Sequence, residues 1–299
     1  MGSEQVTTLN VAFDDYPQTR ALKSGELKSD GVALAFSDIK PANKFFKPMV
    51  RELKFDISEM AIATYIQAKA YGKPITLLPA TIMGRFQHGT MLYNAARGTL
   101  TPADLPGKRV GVRAYSQTTV TWVRGFLMND YGVDLDTIRW FSNEDGHVAE
   151  YREPSHVERL PQGSNLLQML RDGELDAAIY GADLPDDPNL KSVIPDPVAA
   201  AQQWSARHQA VPINHMVVVT ESLSQSNPEA VREVFRLLVE SKRAAGLPTP
   251  GSLDFLPFGF EACRSSLTTM INYCVQQKLI PRPLDVDELV DDSTRVLRP

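Results

Sequence analysis

The sequence predicts a two-lobed α/β protein, and three observations predict it. Strand-like and helix-like segments alternate along most of the chain, the pattern of mainly parallel sheets with covered faces. The chain has 299 residues, long for a single core. Two apolar strands, TMLYN (residues 90–94) and HMVVVT (residues 215–220), bracket a self-contained block of strands and helices, as when a chain crosses to a second lobe and returns. The division predicted is 1–94 plus 215–299 for lobe one and 95–214 for lobe two, with a ligand cleft between them.

In order, LNVAF is a strand, and DDYPQTRAL is a polar turn into a short helical segment. VALAFSD is a second strand. NKFFKPMVRELK (residues 43–54) is a helix with Phe45, Phe46, Met49, Val50 and Leu53 near one face; Pro48 falls early enough to be tolerated. FDISEMAI is strand-like and runs into the helix TYIQAKAYG; ITLLPATIM is a further apolar run, followed by the polar turn GRFQHG. KRVGVRA is a short buried strand around Val110 and Val112. TVTWVRGFLMNDYG is a helix, with Val120, Val123 and Leu127 at helical spacing and Gly132 as its stop. IRWF is a strand, NLLQMLRDGE a helix and LDAAIYG a strand ending in ADLPDDP. The rest is helical apart from HMVVVT: AAAQQWSARH before it, then PEAVREVFRLLVESKRAA, FEACRSSLTTMINYCVQQ and LDVDELV, which are expected to cover lobe one.

Composition excludes several classes. Apolar residues make up 43% and charged residues 22%, ordinary for a globular protein. The net charge of −5 lacks the basic stripe of a nucleic-acid surface. No apolar run approaches the ~18 residues of a membrane span. The N-terminus MGSEQVTTLNVAFDD has neither the basic start nor the apolar core of a secretory signal, so the chain as written reads as cytoplasmic, and as periplasmic if a signal peptide has been removed. Cys263 and Cys274 share one predicted helix; eleven residues at ~1.5 Å rise part them by ~16 Å, too far for a disulfide. Two free thiols fit a reducing compartment. There is no phosphate-cradling glycine fingerprint and no GxSxG elbow, and the sequence leaves a homo-oligomer open.

Between the strand KRVGVRA and its helix lie Tyr115, Ser116, Gln117, Thr118 and Thr119, where the first helical N–H groups lack partners. Such a helix start favours an anion, through its free N–H groups and its dipole. Arg113, at the strand's end, adds a forked donor suited to a carboxylate or phosphate. The plainer alternative is that Ser116 or Thr118 only caps the helix.

The blocks DDYPQTRAL, FDISEMAIATY, GRFQHGTMLYN, GKRVGVRAYSQTTVTWVRG, LLQMLRDGELDAAI and PINHMVVV run in this order through most of the chain. Together they resemble the 4,5-dihydroxyphthalate decarboxylase family. The resemblance implies a two-lobed type II periplasmic-binding-protein-like fold, with mixed sheets flanked by helices and two crossover strands at the hinge. It also implies removal of one ring carboxylate from a dihydroxylated phthalate, giving a dihydroxybenzoate. Many similar chains go by the name of transporter binding proteins, so the alternative is a solute-binding protein for an aromatic or small carboxylate, without catalysis. EDGHVAEYREPSHVERLPQG and GADLPDDP depart from the family pattern, and both fall in the second lobe.

Removing CO₂ from an aromatic acid without a cofactor needs a grip on the carboxylate, a proton for the ring carbon and a hydroxyl that pushes electrons toward it. Arg113 with Tyr115, Ser116, Thr118 and Thr119 is the predicted carboxylate site. Arg85 is its counterpart on the other lobe, and Arg20 a third clamp; each has the alternative of a solvated surface charge. His88 and His215, each just before an apolar crossover strand, are the proton carriers, against the equal alternative of buried neutral histidines. Glu59 and Asp14 would accept bonds from ring hydroxyls, against capping or charge pairing. Tyr180, at a strand end, would face the cleft. Glu144, Asp145, His147 and Glu150 are the one metal-like cluster, but no second histidine sits at tight spacing. The reading is therefore no metal, with His147 as a second-lobe contact to substrate.

Overall fold

The computed structural model describes residues 6–299. The first five residues, on which the expectation of no signal segment partly rests, lie outside the described residues. The chain opens with β1 (Thr7–Ala12), α1 (Pro17–Lys23), β2 (Val32–Phe36), α2 (Asn43–Glu52), β3 (Ile57–Ala61), α3 (Ile62–Ala70) and β4 (Ile75–Gly84). It continues with β5 (Met91–Asn94), β6 (Arg109–Val112), α4 (Thr118–Tyr131), β7 (Arg139–Ser142), β8 (Val157–Arg159), α5 (Leu166–Asp172), β9 (Ala177–Ile179) and β10 (Leu190–Ser192). Then come α6 (Pro197–His208), β11 (Ile213–Thr220), α7 (Glu221–Ser226), α8 (Pro228–Ala244), α9 (Phe260–Gln276) and α10 (Asp292–Arg295).

Two mixed sheets result, ordered β2-β1-β3-β11-β4 and β10-β5-β9-β6-β7-β8. The parallel pairs are β1 with β2 and β3, β6 with β7 and β9, and β7 with β8. The antiparallel members come from the crossings. β11 inserts between β3 and β4 against both, and β5 runs against β9 and β10. The strand Met91–Asn94 thus belongs to the second sheet, whereas the sequence division assigned it to lobe one; its partners are the second-lobe strands that follow it. The crossings are the adjacent segments around Arg85 and Pro212, joined by a bond from the Arg85 N–H to the Pro212 carbonyl (3.2 Å).

Local chemistry accounts for the element ends. Gly132 stops α4 in the left-handed region (φ 64°), its N–H returning to Leu127. α2 ends at Glu52, short of the predicted Lys54, because Leu53 turns left-handed (φ 51°). LDVDELV forms only a 3₁₀ turn over Val286–Leu289. The sequence passed over β8 and β10, three residues each and too short for periodicity to register.

The main apolar cluster is continuous across both lobes, running from Phe45 and Ile66 through Trp122, Phe126 and Trp204 to Tyr273. α8 packs on α1 and β4 of the first lobe, as expected of a C-terminal helix. α9 instead bridges, packing on both α3 and α4. Gly125 makes the α4 contact close: a Cβ there would lie 2.0 Å from the Tyr273 ring. Cys263 and Cys274 are free, buried thiols on α9. No helix of the described residues is long and apolar enough to cross a membrane.

Candidate active site

A cavity of about 370 Å³ opens between the lobes. Its second-lobe wall holds Arg113, Gln117, Thr118, Thr119, His147 and Asp183; its first-lobe wall holds Asp14, Tyr16, Phe46, Arg85, Asn214 and His215.

One side is cationic. Arg113 leaves the end of β6 with its buried Nε unbonded, the nearest carboxylate being Glu144 at 3.9 Å. Arg85 follows β4; its guanidinium donates to Thr119 Oγ1 at 3.4 Å, and its Nε is likewise buried and unbonded. Burial lowers the Arg85 pKa from the usual arginine value, partly offset by Asp183. α4 begins here without a side-chain cap from Gln117, so its first-turn amides stay open at the cavity wall. Asn214 Nδ2 also donates to Thr119 Oγ1 (3.3 Å), and the buried Gln87 side chain donates to Asn214 Oδ1, which fixes the orientation of that amide.

The other side is rich in acceptors. Glu59, fully buried in the middle of β3, accepts from the Asp14 N–H (3.0 Å), the Tyr16 hydroxyl (2.7 Å) and His215 Nδ1 (2.6 Å). With Nδ1 given to a carboxylate, Nε2 is the His215 nitrogen left for a ligand. Burial and the Glu59 charge push the Tyr16 phenol far above its ordinary pKa, so it stays a donor. Asp14 accepts from the Ala42 N–H at 2.8 Å while still lining the cavity. His215 lies opposite Met83 in an irregular ladder. The β11–β4 register shifts three times between Ile213 and Val217, the last shift, between Met216 and Val217, passing over Pro79, which has no N–H to donate.

His147 closes the space, its Nδ1 2.7 Å from Thr64 Oγ1 and its ring edge-on to Phe46. Burial foremost, then Arg113, Lys47, Arg51 and His215, hold its pKa down to about 3, so the ring is uncharged at neutral pH.

The chain is 30% identical over 256 residues to a 4,5-dihydroxyphthalate decarboxylase of Comamonas testosteroni, covering 79% of this chain and 75% of that one. A second protein of that name, from Pseudomonas putida, is 32% identical over 66% of this chain and 80% of its own length. The chain belongs to the 4,5-dihydroxyphthalate decarboxylase family. No protein-family model matches it. Among solved structures, the periplasmic aliphatic sulphonate binding protein of Escherichia coli shares the fold (TM-score 0.58, 12% identity, 96% of this chain and 98% of that one). A Candida albicans protein with the generic periplasmic-binding-protein fold does too (TM-score 0.59, 12% identity, 96% of each). So does a desulfurization enzyme (TM-score 0.51, 14% identity, 96% of this chain and 97% of that one). The two-lobed periplasmic-binding-protein-like fold expected from the resemblance is the fold present.

In this member of the decarboxylase family, the cavity wall gathers Asp14, Arg85, Arg113, Thr118, Thr119, His147 and His215, with Glu59 directly behind. Five other predicted residues lie off that wall. His88 is 1% exposed and stacks at 3.8 Å on Phe126; neither ring nitrogen has a hydrogen-bond partner, and burial holds its pKa down to about 4. Tyr115 lies beneath the Arg124 guanidinium, edge-on to Trp140. Ser116 is buried against Gly146, and Tyr180 packs beside Leu170 and Leu92. Arg20 is exposed on α1. The metal-like cluster disperses: Asp145 pairs with Arg159 (2.6 Å), Glu150 with Lys73 (2.5 Å), and His147 turns to Thr64. Gln117, named with the helix start, also lines the cavity, whereas sequence reasoning missed Tyr16, Phe46, Asn214 and Asp183. The family block PINHMVVV did contain Asn214, but only as the neighbour of His215.

Proposed function

We propose that the chain removes CO₂ from a hydroxylated aromatic dicarboxylate of the 4,5-dihydroxyphthalate kind, bound between the lobes. The observation that carries this reading is the two-ended chemistry of the cavity. Cations and an open helix start line one side, and Asp14 with the His215 imidazole, backed by the buried Glu59, lines the other. 4,5-Dihydroxyphthalate is two-ended in the same sense, with adjacent carboxylates opposite adjacent hydroxyls. The names of the curated relatives point to the same substrate.

In this reading Arg85, Arg113 and the first amides of α4 take the carboxylates. Asp14 and the Glu59–His215 pair take the phenols. His215 Nε2 removes the proton from the hydroxyl para to the departing carboxylate, and Glu59 stabilises the imidazolium so formed. The phenolate pair moves into the ring, and the carbon bearing the carboxylate takes up a proton from water. The bond to the carboxylate then breaks, its electron pair returns through the ring to oxygen, and CO₂ leaves. His215 returns its proton to the phenolate. One proton is consumed per CO₂ and the ring is neither oxidised nor reduced. The free thiols of Cys263 and Cys274 suit a cytoplasmic setting for this reaction.

The test is incubation of the pure protein with 4,5-dihydroxyphthalate while CO₂ and 3,4-dihydroxybenzoate are measured. Both should appear in equal amounts. Tight binding with no CO₂ defeats the decarboxylase and leaves a solute-binding protein.

A further inference from the structure

The segment following β7 crosses back to the first lobe and is tied there at three points. Arg51, in the last turn of α2, donates from Nε to the His147 carbonyl at 2.8 Å and from its terminal nitrogen to the Gly146 carbonyl at 3.1 Å. Thr64 on α3 holds His147 Nδ1, and Lys73 pairs with Glu150 at 2.5 Å. On its other side the segment meets the start of α4. A Cβ on Gly146 would fall 2.9 Å from Ser116 Oγ and 3.1 Å from the Tyr151 ring. Gly146 is therefore wedged between Arg51 and Ser116, with no room for a side chain.

We infer that Arg51, outside the cavity wall, is a positioning residue that sets His147 over the bound substrate by clasping two successive carbonyls of the second lobe. The inference rests on the interlobe cavity being the substrate site. A planar fork spans two carbonyls in fixed geometry, which a lysine ammonium does not. The charge has a second effect. Arg51, Lys47 and Arg113 are the cations facing His147, with His215 across the cavity, and Thr64 and Phe46 are its neutral neighbours. Together with burial the cations keep the imidazole uncharged, so it meets the substrate as a neutral hydrogen-bonding group.

The experiment compares wild type, R51M, R51K and K73M in two readouts. One is KM and kcat with 4,5-dihydroxyphthalate. The other is the imidazole NMR signals of His147 in ligand-free protein, assigned with H147Q. R51M should raise KM about tenfold, the loss of roughly one strong charged hydrogen bond, with kcat nearly unchanged. It should also move the His147 signals and raise their titration midpoint. R51K should restore the midpoint without restoring KM, and K73M should leave both as in wild type. Wild-type KM and wild-type His147 signals in R51M overturn the inference, and so does a raised KM with unmoved signals. If wild type neither binds nor turns over the substrate, the decarboxylase reading fails, and the imidazole spectra alone decide the role of Arg51.

Discussion

His215 Nδ1 lies 2.6 Å from Oε1 of Glu59, a carboxylate with no solvent exposure that also receives the Tyr16 hydroxyl. The pair fixes which imidazole nitrogen meets the ligand and supplies the countercharge for its protonated form. Glu59→Gln keeps the shape and removes the charge. It should lower kcat by ~100-fold or more, with KM changed far less, as measured by CO₂ release. An effect on KM alone would leave Glu59 a binding residue.

Arg85 and Arg113 each carry a buried Nε that makes no hydrogen bond, so a bound carboxylate gains bonds there, competing at Arg113 only with the long 3.9 Å ion pair to Glu144. Arg113→Met or Arg85→Met should weaken dicarboxylate binding by ~2 kcal/mol each. Calorimetric titration with 4,5-dihydroxyphthalate and with the monoacid 3,4-dihydroxybenzoate checks this; the dicarboxylate should lose more. Equal losses would place the arginine against the ring rather than a carboxylate.

His88 has the opposite character from His215, because its stacked ring satisfies neither nitrogen. His88→Phe should preserve turnover and stabilise the protein at neutral pH by ~1 kcal/mol, the cost of an unsatisfied buried polar group. The fold lowers its pKa from 6.5 to about 4, so the unfolded chain binds the proton more readily. Stability from this residue is complete above pH 6.5 and falls as pH drops toward 4, by on the order of 3 kcal/mol. Urea unfolding of wild type and variant across that range should show a shallower acid loss in the variant. The remainder comes partly from His147, whose pKa is shifted the same way.

Gly125→Ala places a Cβ 2.0 Å from the Tyr273 ring, at the contact where α9 bridges the lobes. Overpacking there should destabilise the protein by about 3 kcal/mol, read as a lower thermal midpoint. A variant as stable as wild type would mean that α4 and α9 separate at little cost.

The fold was legible because alternation of strand and helix, helix stops and two apolar crossing strands are all local signals. The helix start at Thr118 and the fork of Arg113 were legible for the same reason, since one strand–turn–helix unit builds both. His88 and His215 carry the same local signature, a histidine just ahead of an apolar run. What separates them is pairing. His88 falls in the crossing between the sheets and turns into the aromatic core, while His215 lies within β11, opposite Met83, where it bonds Glu59 and lines the cavity. Neither outcome shows without partner strands. Asn214, Gln87 and Phe46 join the site only through contacts between segments far apart in sequence, and no period or spacing marks them.

The insertion of β11 between β3 and β4 also sets an order of assembly. β4 has β11 as its strand partner, so a nascent chain emerging from the ribosome lacks the seam of its N-terminal sheet until Thr220 has been made. The other sheet has all its strands by Ser192. The portion synthesised in the middle can thus complete its strand pairing ahead of the portion synthesised first, which waits, with the facing edges of β3 and β4 unpaired, for its missing neighbour, while the cover that α9 gives α4 comes later still.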